Sequence, residues 1–169
     1  GNPLHPSAAS AMGKVDDKLK ELGITLPDVP KPAGNYGPFV VSGNLVFTAG
    51  QIALEAGVLE DKWKGQCGKE RTLDEGYAAA RLCAINVIAA VKAACDGDLD
   101  RVVRVVRVGG FCASVAEFND QPKVVNGASD LFVEVFGDKG RHARTAVGVA
   151  ALPLGSCVEV DAVVEIAPK

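Results

Sequence analysis

The stretch "RHARTAVGVAALPLGSCVEVDAVVEI", residues 141–166, contains two strand-like runs at the end of the chain. In the second run, apolar and mostly polar side chains alternate, which predicts a strand with one buried and one polar face. The buried set is Val158, Val160, Ala162, Val164 and Ile166, and the opposite set is Cys157, Glu159, Asp161, Val163 and Glu165. The first run carries no charge after Arg144 and predicts a buried strand that begins at an arginine.

Two long helices are predicted upstream of these strands. The first begins at Thr72, which forms a capping box with Glu75, and ends at Gly97. The second begins near Pro122 and ends at Gly137. Its buried stripe is predicted to be Val124, Ala128, Leu131, Val135 and Phe136.

Gly127 lies inside this second helix, where glycine costs about 1 kcal/mol relative to alanine. We therefore interpret it as a packing or access point.

Shorter elements precede the first long helix. A short amphipathic helix is predicted around Val15 to Leu22, followed by a Pro- and Gly-rich loop. "FVVSGNLVFTAGQI", residues 39–52, predicts a hairpin that turns at Ser42-Gly43-Asn44. Residues 53–71 look irregular.

"RVVRVVRVGGFCASV", residues 101–115, predicts a strand from its β-branched residues, although its triplet repeat fits neither a strand nor a helix. Its three arginines could indicate nucleic-acid binding. We expect instead that Arg101, Arg104 and Arg107 occupy mixed faces and edge positions of a sheet.

Composition limits the class of protein. The chain has 169 residues, 48% of them hydrophobic and 23% charged, with a net charge of −3 and a pI of about 5.4. One globular domain is expected, and the acidic balance argues against a nucleic-acid partner. We expect no membrane association, since no apolar run approaches the length of a bilayer span.

The cysteines and histidines indicate the compartment and argue against a metal. The five cysteines are odd in number and form no Cys-x-x-Cys pair, so we interpret them as free thiols in a reducing, cytoplasmic compartment. With only His5 and His142, no zinc-ligand spacing is present.

Three segments are expected along the chain. Residues 1–11 resemble a tag remnant or disordered extension, residues 12–35 form the N-terminal helix and Pro-rich lead, and residues 36–169 form the main domain. The order hairpin, helix, strand, helix and two strands predicts an α+β sandwich, with one sheet and two helices on one face.

The motifs together resemble the reactive intermediate deaminase family, also called the YjgF or Rid family. The similar segments run from about Tyr36 to Ile166: "NYGPFVVSGNLVFTAGQ", "LDRVVRVVRVGGF", "FNDQPKVVNGASDLFVEVFG" and the closing stretch quoted above. The resemblance implies a mixed sheet with a fold like the small chorismate mutases of the Bacillus type. It also implies a homotrimer with a central barrel and pockets between subunits.

The resemblance further implies hydrolysis of 2-imino or enamine acids to 2-keto acids and ammonia, with no cofactor. By position, Arg144 matches the family's carboxylate-binding arginine, and Glu159 matches the glutamate that orients the attacking water. The matched substrate-binding positions are Tyr36, Gly50, Asn126 and Ala146. Ala146 departs from the pattern, since many members carry cysteine there.

Physical reasoning on the same residues leaves alternatives open. Arg144 could pair with a carboxylate of a neighbouring chain, and Glu159 could be an ordinary solvated strand residue. Tyr36 could cover the core, and His142 is expected to face solvent or the rim of a trimer. A small-carboxylate sensor without catalytic activity, or an endoribonuclease, remain the alternative functions.

Overall fold

The computed structural model describes residues 13–29 and 34–169 and has the predicted α+β architecture. Six strands form one mixed sheet in the order β1-β2-β6-β4-β5, and the short β3 pairs with β6 beside β2. Neighbouring strands are antiparallel except β4 and β5, which are parallel. The strands are β1 (Phe39–Ser42), β2 (Leu45–Thr48), β3 (Gln51–Ile52), β4 (Val102–Ala113), β5 (Ala143–Val149) and β6 (Val158–Ile166), and the helices are α1 (Lys14–Glu21), α2 (Leu73–Ala94) and α3 (Gln121–Phe136).

The predicted alternation of β6 is confirmed. Val158, Val160, Ala162, Val164 and Ile166 are buried, and the residues between them are only partly buried. Helices α2 and α3 cover the buried face, and the opposite face of the sheet carries no helix in the described part of the chain. We call this second surface the open face.

The N-terminus of α2 is fixed by the predicted capping box. The Thr72 hydroxyl accepts a hydrogen bond from the Glu75 backbone N–H at 3.1 Å, and the Glu75 carboxylate accepts one from the Thr72 N–H at 3.0 Å. At the other end, the N–H of Gly97 donates to the carbonyl of Lys92, and the positive φ of 91° at Gly97 suits a glycine.

The sequence-based expectation that no run has the length of a membrane span is wrong for α2. By length and composition alone, Leu73–Ala94 is apolar enough to cross a bilayer. Its burial explains this composition, because α2 packs against β6 on one side and α3 on another. Ala79, Ala80 and Ala84 are fully buried, and Ala80 lies beside Gly127 of α3.

Gly127 is a packing point between the two long helices, one of the two roles expected for it. A Cβ at this position would collide with the backbone carbonyl of Tyr77 on α2. Backbone cannot move away as a flexible side chain can, so the glycine sets the distance between α2 and α3.

We expect Gly127→Ala to destabilise the protein although alanine favours helix. The overpacking cost of about 1–3 kcal/mol or more exceeds the roughly 1 kcal/mol gained in propensity, so the melting temperature should fall by several degrees. Gly76→Ala is the matched control, since the atoms nearest to its Cβ would be side-chain atoms of Cys67 and Val124, at 2.9 and 3.1 Å, and not backbone. Calorimetry at one protein concentration should show the larger drop for Gly127→Ala. Equal drops would mean that the helices can separate freely.

The triplet repeat of β4 has a structural cause. The pairing of β4 with β6 is interrupted between Val102 and Arg104, and again between Val105 and Arg107. These bulges convert the strand period of two locally into a period of three, so Val102, Val105 and Val108 are all buried. The expected edge position is wrong for Arg107, which pairs with Ala143 of β5 and with Val163 of β6. Arg104 pairs with β6 alone, because the pairing with β5 begins only at Arg107.

The cysteines behave as small core residues, as predicted. All five are free and buried. Helix α1 also joins the core through Leu19, and the Asp100 carboxylate accepts hydrogen bonds from the backbone N–H groups of Lys14 and Val15 at its N-terminus. The predicted segment 1–11 lies outside the described residues.

Candidate functional site

Arg144 lies on β5, the edge strand of the sheet. It pairs with Val108 of β4, which pairs in turn with Ala162 of β6, so its side chain belongs to the helix-covered face. There the guanidinium meets the first turns of α3. One Nη donates to the Asn126 side-chain oxygen at 2.8 Å and to the Ser129 hydroxyl at 3.1 Å, and the other donates to the Pro122 carbonyl at 3.3 Å.

All three acceptors of Arg144 are neutral. The arginines that pair with a carboxylate are Arg71, Arg81, Arg101 and Arg141. Arg144 has no such partner among residues 13–29 and 34–169. A guanidinium has five N–H groups, so two remain without a partner in the described chain. The arginine is thus oriented but not neutralised, which favours binding of an anion.

Asn126 is brought directly to Arg144, and this contact explains its position one turn into α3. Asn126 is exposed, and its side-chain oxygen accepts the hydrogen bond of Arg144 on the solvent side of the guanidinium. Ala146 lies two residues beyond Arg144 on the same face of β5 and pairs with Gly110 of β4. A Cβ at Gly110 would collide with Val125 of α3, so small residues at this point allow α3 to approach the strands.

His142 and Ser129 form a pair that sequence reasoning missed. The ring of His142 is partly buried rather than facing solvent, and its edge packs on Phe132. Its Nε2 lies 2.8 Å from the Ser129 hydroxyl, and its Nδ1 lies 2.6 Å from the Gly140 carbonyl. The sequence signal was a histidine two residues before the arginine on the same strand face.

Glu159 lies on the open face of β6, partly buried. Gly50 is next to it, and a Cβ on that glycine would collide with the Glu159 carboxylate. Burial, together with the charge of Asp161, raises the pKa of Glu159 above its ordinary value. The pKa of Asp161 is also raised by burial, while Arg107 and the Gly109 N–H oppose that shift.

Arg144 and Glu159 lie on opposite faces of the sheet within one chain. Glu159 pairs with Phe111, three residues along β4 from Val108, the partner of Arg144. With about 3.3 Å per residue and about 4.8 Å per strand, the two positions are about 10 Å apart in each direction. One chain therefore does not bring these two predicted residues together.

Tyr36 is not a cover over the core. Its side chain is 56% exposed in the loop before β1. Exposed apolar residues also occur on the open face, at Val40 and Phe47 of the hairpin, Val106 of β4 and Val147 of β5. Exposed apolar side chains on a sheet face that also carries charged residues mark a candidate interaction surface.

Comparison with known proteins shows the family. Residues 16–166 match a family model described as "YjgF/chorismate_mutase-like, putative endoribonuclease". The chain belongs to the YjgF family. The match begins inside α1, about twenty residues before Tyr36, where the similar sequence segments begin.

The names of related proteins of the YjgF family differ in whether they state an activity. Protein TCP17 of Trypanosoma cruzi is 49% identical, with 92% of this chain and 96% of that protein covered. A protein of Dermatophagoides farinae named 2-iminobutanoate/2-iminopropanoate deaminase is 29% identical, with 85% and 94% covered. The crystal structure of the protein Atu1372 with unknown function, from Agrobacterium tumefaciens, has a TM-score of 0.83 and 47% identity, with 91% of this chain and 94% of that chain covered.

Proposed function

We propose that this protein hydrolyses 2-imino and enamine acids to 2-keto acids and ammonia, without a cofactor, in a pocket between two copies of the chain. The observation that carries the proposal is Arg144. Its guanidinium is held by three neutral acceptors and has no carboxylate partner in the described chain. A 2-imino acid supplies the missing anion directly beside its reacting carbon.

The arginine would serve as the carboxylate clamp. Its planar fork can donate two parallel hydrogen bonds to a carboxylate and keeps its charge at every working pH. Asn126 and Ser129 hold one side of the fork, so the substrate meets a group that is already oriented.

Glu159 would activate the water. The iminium carbon is electrophilic, so the water oxygen bonds to it while the C=N π electrons return to nitrogen. Glu159 takes a proton from the water and gives it to the nitrogen. It then takes the remaining hydroxyl proton as the C–N bond breaks, so that the keto group forms and ammonia leaves, and the ammonia carries that proton away as ammonium. The raised pKa of Glu159 makes it a stronger base than an ordinary carboxylate.

The site needs a second copy because Arg144 and Glu159 lie on opposite faces of one sheet. A pocket that contains both forms when the edge strand β5 of one copy meets the open face of another. The exposed apolar residues of the open face support such contacts. We propose a homotrimer with the open faces turned inward. In such a ring the same head-to-tail contact joins each copy to the next, and no copy is left with an unpaired contact surface.

Two further features support the deaminase proposal. The name of the Dermatophagoides farinae relative states this activity for that protein. The buried free thiols fit a reducing compartment, for which we propose the cytoplasm. Tyr36, Gly50 and Ala146 are proposed as substrate contacts, Gly50 because it leaves room beside Glu159.

A coupled assay tests the proposal. A dehydratase that uses pyridoxal phosphate releases imino acids from threonine or serine, and we expect the purified protein to accelerate ammonia release from them. Light scattering on the same sample should give the mass of a trimer. A stable monomer at micromolar concentration would remove the inter-copy pocket. A trimer that binds 2-keto acids but leaves imine hydrolysis at the rate of free solution would indicate a sensor instead.

A further inference from the structure

His142, Ser129 and Arg144 form a chain of hydrogen bonds whose polarity is fixed at one end. The Gly140 carbonyl can only accept, so the Nδ1 of His142, 2.6 Å away, carries a hydrogen. In the neutral ring Nε2 is then an acceptor, and the Ser129 hydroxyl donates to it across 2.8 Å. The lone pairs of Ser129 are left for Arg144, whose Nη donates to it at 3.1 Å.

The carbonyl at the end of this chain is held rigidly. Gly140 ends the 3-10 turn Gly137–Gly140 and is buried against α3. A Cβ at Gly140 would collide with the Phe132 carbonyl, so this turn cannot shift toward the helix. The imidazole is therefore fixed between Gly140 and Ser129, with its edge on Phe132.

Protonation of His142 keeps every heavy atom of this chain in place. Nε2–H would donate to Ser129, whose oxygen can accept from both the imidazolium and Arg144, and the serine hydrogen would turn away from the ring. Protonation therefore places a second positive charge near the guanidinium, with only the Ser129 hydroxyl between the two groups. In the absence of an anion this is unfavourable, because burial and the Arg144 charge lower the pKa of His142, against the opposing effect of the Gly140 carbonyl.

The other charged groups around His142 are accounted for. The cleft beside it is lined by Arg141 and Arg144 on its own strand side and by Asp130 of α3. Arg141 pairs with Asp138 of the turn, and its carbonyl accepts a hydrogen bond from Arg104 of β4. Asp130 accepts a hydrogen bond from Tyr77 at 2.6 Å. Arg144 is thus the charged group that acts on the pKa of the ring and has no carboxylate partner among the described residues.

We propose that Ser129 and His142 position Arg144 and couple carboxylate binding to proton uptake, so that the clamp holds an anion more tightly as the pH falls. The inference rests on the proposed role of Arg144. A carboxylate on Arg144 neutralises the charge that disfavours the imidazolium and therefore raises the pKa of His142. Because coupling between two binding events is reciprocal, protonation of His142 tightens carboxylate binding by the same factor.

This coupling belongs to substrate binding and not to the chemical step. His142 contacts the clamp only through Ser129, so it is a positioning residue. For imine hydrolysis we expect its titration to change KM, while kcat follows Glu159.

Nuclear magnetic resonance of the histidine rings tests the coupling directly. The probe is 2-oxobutanoate, a stable 2-keto acid with no imine nitrogen to titrate. The chain has only two histidines, so His5→Asn and His142→Asn assign both signals. We expect saturating 2-oxobutanoate to raise the pKa of His142. The Kd of 2-oxobutanoate by calorimetry should fall about threefold to tenfold from pH 8 to pH 5.5, as expected for the interaction of two unit charges in a partly solvated site.

Three variants separate the coupling from other effects. His142→Asn should lose the pH dependence of Kd over this range. Ser129→Ala should weaken binding at every pH, since Arg144 keeps only Asn126 and Pro122. Lys139→Gln is the control, because it removes an exposed charge from the same turn without touching the network, and it should keep the wild-type pH dependence.

The outcomes distinguish this inference from the proposed function. If 2-oxobutanoate binds through Arg144 but leaves the pKa of His142 unchanged, or if His142→Asn keeps the wild-type pH dependence, the coupling is wrong. If the pKa of His142 rises on binding while the coupled assay shows no imine hydrolysis, the coupling stands and the catalytic proposal fails. If the binding of 2-oxobutanoate does not depend on Arg144, the coupling and the proposed function both fail.

Discussion

Replacing Arg144 with alanine should lower kcat/KM for a 2-imino acid by about a hundredfold or more. Hydrogen bonds to charged groups are worth about 1.5–3 kcal/mol each, and about 1.4 kcal/mol corresponds to tenfold. Arg144→Lys should recover only part of this loss, because it keeps the charge but lacks the two-pronged donor geometry. The measurement is the coupled dehydratase assay over a range of imino acid concentrations.

The same variants distinguish a clamp from a structural ion pair. As a clamp, Arg144 can be lost with the trimer mass and melting temperature close to wild type, since its partners are neutral and partly solvated. If Arg144 instead pairs with a carboxylate of a neighbouring copy, Arg144→Ala should damage assembly, and intact trimers should keep their specific activity. Trimers of Arg144→Ala that hydrolyse imino acids at the wild-type rate would contradict the carboxylate clamp.

The second large effect is expected at Glu159, and it tests where the site is built. Glu159→Gln keeps the shape of the side chain but removes the base, which should lower kcat by about a hundredfold or more. Since the proposed site takes Arg144 from one copy and Glu159 from another, two inactive variants can complement each other. Co-refolded equal amounts of Arg144→Ala and Glu159→Gln should recover about a quarter of wild-type activity, because that share of heterologous contacts joins two intact residues.

The controls for this experiment are direct. Arg144→Ala co-refolded with a double variant that lacks both residues should recover nothing, since every site then lacks Arg144. If the first mixture also recovers nothing while native mass spectrometry shows mixed trimers, the two residues act from one copy of the chain.

The pH profile gives a further check on Glu159. Burial raises its pKa, so the base should lose its charge at a higher pH than an ordinary carboxyl group does. We expect kcat to fall as the pH drops through this raised value, and Glu159→Gln to remove that limb. KM should also fall as the pH drops, because protonation of His142 tightens substrate binding, and full saturation curves separate this gain in binding from the loss in kcat.

Much of the fold is predictable from local patterns. The capping box at Thr72, the proline at the start of α3 and the strict alternation in β6 each determine an element through contacts within a few residues. The triplet repeat of β4 was not interpretable in advance, because bulges depend on how β4 pairs with β6. The apolar composition of α2 likewise becomes clear only when its neighbours are known.

For the proposed site, the sequence by itself predicted two residues, namely an arginine at the start of one strand and a glutamate on the polar face of the next. Only the tertiary structure decided how they are arranged. It brought Asn126 and Ser129 from α3 to Arg144, partly buried His142 beside them, and placed Glu159 with Gly50 on the other face. The reason is that the alternation of side chains along a strand determines locally which face of the sheet each residue occupies. Which residues of distant elements meet on that face depends on how the sheet and helices pack.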